Sequence, residues 1–170
     1  MKWSQLKKRM EGLFADSVRG RVEVWNTRYR HAGDREGEAW ITIDGQVAYN
    51  MGSLGCLVKH HQEAERLRKE RGCTDYLNAD HASGYYAAWQ ESRQKLTEMG
   101  VFALWDFNGA LFDYLSLSID EILQSEHPII RGFGMLDRRL GKRRLTALKA
   151  TNHHPLVALL YEFRCRAEEA

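Results

Sequence analysis

Apolar residues recur at Trp3, Leu6, Met10, Leu13 and Phe14, a spacing of three and four that forms one helical face. Lys7, Lys8 and Arg9 fall near the opposite, wet side. From Gly20 the period changes to two. Val22, Val24 and Trp25 carry high strand propensity, with Arg21 and Glu23 alternating with the valines, and Ala39–Ile43 reads as a second strand after a polar loop over Ala32–Gly37. Asp44-Gly45 predicts a tight hairpin, because both central residues of a type I′ turn need positive φ, and Gln46–Met51 returns as a third strand. Met51–Cys56 reads as a loop and Leu57–Arg71 as a charged, exposed helix, with Gln62–Arg66 and Glu65–Lys69 at i,i+4 and Gly72 as its C-cap. Thr74–His81 reads as a loop, and a helix is expected from Ser83 to about Met99. Val101–Phe112 is the most apolar stretch and is expected at the centre of the core. Ser118 predicts a helix start for Ile119–Gln124.

Two later openings resemble each other, His127-Pro128-Ile129-Ile130 and His154-Pro155-Leu156-Val157, with prolines 27 residues apart. Pro in the first turn followed by two aliphatics suits a helix start. The first copy predicts one helical face through Ile129, Phe133, Leu136 and Leu140, the second through Leu156, Leu159, Leu160 and Phe163. The fold class expected is α+β, an N-terminal helix and a three-stranded antiparallel meander packed against a C-terminal helical bundle. We expect a single domain over 1–170, with the helix and sheet in 1–55 and the mainly helical part in 56–170.

Composition narrows the class. The 170 residues are 44% hydrophobic and 28% charged, with only 2 prolines, which suits an ordered globular chain. No apolar run approaches the roughly 20 residues that span a bilayer, so no membrane partner is expected. The basic start of the chain is interrupted by Glu11, Gly12 and Asp16, so no export signal is read. Cys56, Cys73 and Cys165 are odd in number and contain no Cys-x-x-Cys, which suits a reducing, cytoplasmic setting.

The net charge of +2 conceals segregation. Residues 73–130 hold 2 basic and 9 acidic groups, and residues 131–150 hold 7 basic and 1 acidic. The basic peak makes Arg131, Arg138, Arg139, Lys142, Arg143 and Arg144 candidates for nucleic-acid or anion binding, since each cation on a phosphate releases counterions. On a continuous helix Arg131, Arg138 and Lys142 would share one face. The same cations could pair with the acidic stretch or lie solvated. Asp75, Asp80, Asp113, Asp120 and Glu121 are the candidates for contact with a protein partner.

Signals for chemistry are sparse. Neither a P-loop, nor Gly-x-Ser-x-Gly, nor His-Glu-x-x-His occurs. A metal site at His61, His81 or His154 would need distant segments to converge. Asp106 and Asp113, two helical turns apart, could form an acid/base pair, but a core-edge carboxylate paired with an Arg explains such a residue as well. We therefore assign no catalytic, cofactor or metal residues and expect a chain that is not an enzyme.

Five blocks stand out as a set: Lys2-Trp3-Ser4-Gln5-Leu6-Lys7-Lys8-Arg9, Phe14–Val18, Gly20–Val22, Trp40–Gly45 and Leu136–Leu145. In these the chain resembles a small uncharacterised family of bacterial cytoplasmic proteins. The resemblance implies a soluble bacterial protein and brings no activity. The function expected is a non-enzymatic protein-binding module, most concretely an immunity protein or antitoxin that masks a partner enzyme. The alternative is a nucleic-acid-binding protein using residues 131–144.

Overall fold

The computed structural model describes residues 2–31, 36–148 and 154–169. Most of the polar loop expected over Ala32–Gly37, and His153, lie outside the described residues. The chain runs α1 (Trp3–Glu11), β1 (Val22–Arg28), β2 (Gly37–Ile43), β3 (Gln46–Gly52), α2 (Ser53–Arg71), α3 (Ala79–Glu98), α4 (Leu104–Ser116), α5 (Ile119–Gln124), α6 (Pro128–Leu136), α7 (Lys142–Ala147) and α8 (Pro155–Glu169). The α+β class and the antiparallel meander are as expected, with sheet order β1-β2-β3.

The sheet follows from its local chemistry. Asp44 and Gly45 both take positive φ, 50° and 79°, as a two-residue hairpin demands. Trp25 lies opposite Trp40 in the register, and their rings stack with centroids 6.4 Å apart. Helix α1 runs beside strand β1. Its Leu6 and Met10 enter the core, and Glu11 accepts the Val24 N–H at 2.9 Å, occupying a donor on the sheet edge. Lys7 places its ammonium 3.3 Å from the centre of the Trp25 ring.

Several boundaries differ from the pattern reading. Gly52 serves as the N-cap of α2, which begins at Ser53, so the expected loop over Met51–Cys56 is absent. Helix α3 begins at Ala79 rather than Ser83, because the Asn78 side chain accepts from the Asp80 N–H at 3.0 Å and starts the helix earlier. The apolar stretch Val101–Phe112 is core on one side only. Phe102, Leu104, Phe107 and Leu111 are buried while Trp105 and Phe112 are exposed. Helix α6 stops at Leu136, since Asp137 takes an extended conformation (φ −70°, ψ 132°). Leu140 is buried but does not lie on α6, and no continuous helix joins Arg131 to Arg138 and Lys142.

The repeated His-Pro openings are realised in both copies. His127 Nδ1 accepts the Ile129 N–H at 3.3 Å, and His154 Nδ1 accepts the Leu156 N–H at 3.2 Å. Each ring thus caps its own helix, with Pro in the first helical turn. Phe102 lies beside both caps, its ring centre 6.4 Å from that of His127 and 5.7 Å from that of His154. Gly132 lets α6 and α8 approach, for a Cβ there would lie 3.2 Å from Leu160 Cδ1.

One buried apolar cluster draws on α1, all three strands, α4, α5, α6, α7 and α8. The buried side chains of the α2–α3 hairpin (Cys56, Ala64, Leu67, Ala88 and Leu96) form a separate seam outside it. Strand β3 is tied to the turn after α3 by Tyr49, whose hydroxyl donates to the Gly100 carbonyl and whose burial raises its pKa to about 12. Tyr49→Phe removes one neutral hydrogen bond and should cost about 1 kcal/mol in urea unfolding. A variant as stable as the parent would show that water replaces the phenol there.

Candidate functional site

Helices α2 and α3 pair because each turns a narrow face of small and apolar residues to the other. Ala64 and Leu67 on α2, and Ala88, Ser92 and Leu96 on α3, are buried. Gly72 closes α2 in the left-handed conformation (φ 65°), with the Cys73 N–H returning to the Arg68 carbonyl at 3.0 Å. Outward-facing charges pair within the hairpin. Lys69 meets Glu65 at 2.6 Å as its spacing predicts, and Lys95 reaches Glu63 at 2.6 Å. Arg66 pairs with Glu63 and Glu70 rather than with Gln62.

Where the hairpin meets α4, a groove of about 620 Å³ opens between Leu57, His60, Trp89, Gln90, Arg93, Gln94 and Trp105, with Cys56 at its floor. Its size suits a ligand or an inserted side chain. Its thiol, guanidinium and imidazole, however, already have partners. Arg93 donates to Cys56 Sγ at 3.1 Å and forms an ion pair with Asp106. Asp106 also accepts the Ala103 N–H at 2.7 Å, capping α4. His60 bonds the Trp89 carbonyl at 2.9 Å, with its ring centre 3.8 Å from that of Trp89. Burial pushes the Cys56 thiol pKa up, and Arg93 offsets this only in part. A thiol held protonated is a poor nucleophile. The groove therefore offers aromatic walls around a thiol and a guanidinium that are engaged with each other.

The far end of the hairpin has a different character. Residues 72–90 contain no Lys or Arg and carry Asp75 and Asp80. Tyr76, Leu77 and Tyr86 stand exposed there, Leu77 at 80%. The described hydrogen bonds, ion pairs and ring contacts of residues 68–86 remain within the hairpin, such as Tyr76 against Tyr85 and Arg68 stacked 3.4 Å over Tyr85. Asp75 shapes the turn by accepting the Leu77 N–H at 2.9 Å.

The other acidic candidates lie elsewhere. Asp113 is exposed on α4. Asp120 pairs with Arg144 at 2.6 Å, and Glu121 completes a capping box with Ser118, whose hydrogen bonds hold its carboxyl below the usual range. Asp75 and Asp80 lie in the stretch that also carries the exposed Tyr76, Leu77 and Tyr86, whereas Asp113 follows the exposed Phe112 on α4.

The basic candidates are divided too. Arg131, in the first turn of α6, lines a cavity of about 660 Å³ with Thr97, Glu98, Glu126 and His154. Arg138 to Arg144 follow the end of that helix. Arg139 is bound to the buried Asp137 at 2.7 Å and to the Leu117 carbonyl at 3.0 Å. Lys142 donates to the Glu168 carbonyl at 2.8 Å. Of the alternatives left open for these cations, one pairing of the basic with the acidic segment is present, Arg144–Asp120, while Arg138 and Arg143 show no ion pair among the described residues. No group of three or more potential metal ligands occurs among the described residues. His61 stacks its edge on Trp89, His81 lies at the start of α3, and His154 caps α8. Asp106 is the Arg-paired core-edge carboxylate, and no contact joins it to Asp113 among the described residues.

Two features escaped the sequence reading. The groove is assembled from α2, α3 and α4, and nothing in local spacing says that Cys56, Arg93 and Trp105 converge. The exposed tip did leave a trace, since Tyr76-Leu77 is an apolar pair outside any periodic face. No described helix is long and apolar enough to cross a membrane. The model of the SF0329 protein family matches residues 2–165. No curated protein and no solved structure matches the chain.

Proposed function

The chain belongs to the SF0329 protein family, which brings no activity with it, and we propose on its surface chemistry that it is a non-enzymatic protein-binding module. The observation that carries this reading is the placement of exposed apolar side chains. Among the described residues eleven large hydrophobics are exposed, and six of them, Leu54, Val58, Tyr76, Leu77, Tyr86 and Met99, lie between residues 53 and 99. That segment buries nothing in the main core. A helical hairpin that contributes little to the core yet displays large apolar groups is suited to contact with another protein.

The concrete form is an immunity protein or antitoxin that covers a partner enzyme in the bacterial cytoplasm. The chemistry of the groove agrees with a binding role, because its thiol, guanidinium and carboxylate are engaged with each other. The test is recovery of partners from source cells by the tagged chain and by Val58→Ser/Leu77→Ser, with and without nuclease. A stoichiometric protein retained by the parent and lost by the variant supports the reading. Recovery that is nuclease-sensitive and instead depends on Arg138 and Arg143 would replace it with the nucleic-acid reading.

A further inference from the structure

We propose that the tip of the α2–α3 hairpin is the contact end, and that its partner is a protein surface carrying Lys or Arg beside an apolar pocket that receives Leu77. This deepens, and rests on, the protein-binding reading above. Three observations converge on it. Leu77 is exposed at 80%, its neighbour Tyr76 at 54% and Tyr86 on α3 at 60%, more apolar surface than a turn between polar helices requires. The carboxylates beside these groups, Asp75 and Asp80, are exposed, and neither forms an ion pair among the described residues. Finally, the nearest hairpin cations are already committed. Arg68 is stacked on Tyr85, Lys69 pairs with Glu65, and Arg71 pairs with Glu91.

The tip therefore presents two carboxylates without an ion-pair partner among the described residues beside exposed apolar side chains, with the Arg68 guanidinium held against Tyr85. A complementary surface is basic with an apolar hollow, and opposite charges at the rim would speed encounter. The geometry is also economical in entropy. Asp75 holds the Leu77 backbone in a turn, and Asn78 caps α3 one residue later, so Leu77 is presented on a fixed loop. Tyrosines commonly anchor such contacts.

The experiment is photo-crosslinking in the source cells from a benzoylphenylalanine placed at Leu77, at Val58 on the side of α2, and at Val47 on the sheet as a control. The crosslinked peptide is then sequenced. The expected result is one protein captured from position 77 and not from 47, through a peptide containing Lys or Arg. Asp75→Asn/Asp80→Asn should weaken binding of that purified partner about tenfold at low salt, with the difference shrinking as salt screens the pair. Capture from position 58 alone, a contact peptide without cations, or an unchanged affinity in the Asn variant overturns the tip inference while leaving the protein-binding reading in place. Capture of a second copy of the chain also overturns it. No capture from 58 or 77 removes both.

Discussion

Asp137→Ala is expected to be the most damaging single substitution in the chain, costing about 3–5 kcal/mol in urea unfolding. Asp137 is 0% exposed, and four donors converge on its carboxylate. The Tyr114 hydroxyl donates at 2.8 Å, the Arg139 backbone N–H at 2.8 Å, and Arg139 Nε and Nη2 at 3.0 and 2.7 Å. Removing the carboxylate strands a phenol that is itself fully buried, and leaves Arg139 without its counter-ion. It also loosens a junction. Asp137 ends α6, and its neighbours bind the chain after α1 through the Arg138 N–H to the Leu13 carbonyl and the Ala15 N–H to the Leu136 carbonyl, both at 2.8 Å. Arg139 is about one third exposed, so water screens part of the charge pair and the cost should fall toward the lower end of the range. Tyr114→Phe, which removes one donor to the carboxylate, should cost about 1.5–3 kcal/mol. An ordering in which Tyr114→Phe exceeds Asp137→Ala would mean that the phenol, not the carboxylate, organises the junction.

That junction explains a sequence block as structure. Leu136, Leu140 and Leu145 are core, Asp137 is the buried acceptor, and Arg139 is its counter-ion. The run of cations reads as an anion-binding helix when each residue is scored by charge alone. The burial of one carboxylate within it converts part of that charge into an internal pair and ends the helix. Local patterns that depend on near neighbours were legible: the Asp44-Gly45 turn, the Ser118 cap, the Glu65–Lys69 pair and both His-Pro starts. The candidate site was legible only in part. Asp75 and Asp80 were identified by charge, but their apolar companions at the tip were not. Periodicity marks a face without saying what covers it, and Trp105 and Phe112 read as core for the same reason.

The paired caps make stability sensitive to mild acid. Each histidine accepts a backbone N–H through Nδ1, which requires that nitrogen to be unprotonated. His154 at the same time bonds the Thr97 carbonyl at 2.7 Å through Nε2, which fits a neutral ring with its proton on that nitrogen. Burial lowers the pKa of both rings below the ordinary 6.5. Asp106 and Asp113 on α4 oppose this for His127, whereas Arg93 and His154 reinforce it. For His154 the Thr97 carbonyl opposes the shift and Arg131 reinforces it. The unfolded chain therefore binds more protons than the folded one just below pH 6.5. The contribution of the caps is complete above the unfolded value and is lost as pH falls through the lower folded values. Both rings are only about half buried, so solvent discounts the effect, and the proton uptake on unfolding should stay below two. Glu11 acts in the opposite sense, its carboxyl being raised by burial, so the parent's slope alone is ambiguous. His127→Asn/His154→Asn resolves this, because Asn is a good N-cap that does not titrate. The parent should lose stability relative to the Asn pair between pH 6.5 and 5, and the two should run parallel between pH 7 and 8. Parallel curves across the whole range would mean that both rings take up protons alike in the folded and unfolded chain, and the acid sensitivity would have to arise elsewhere.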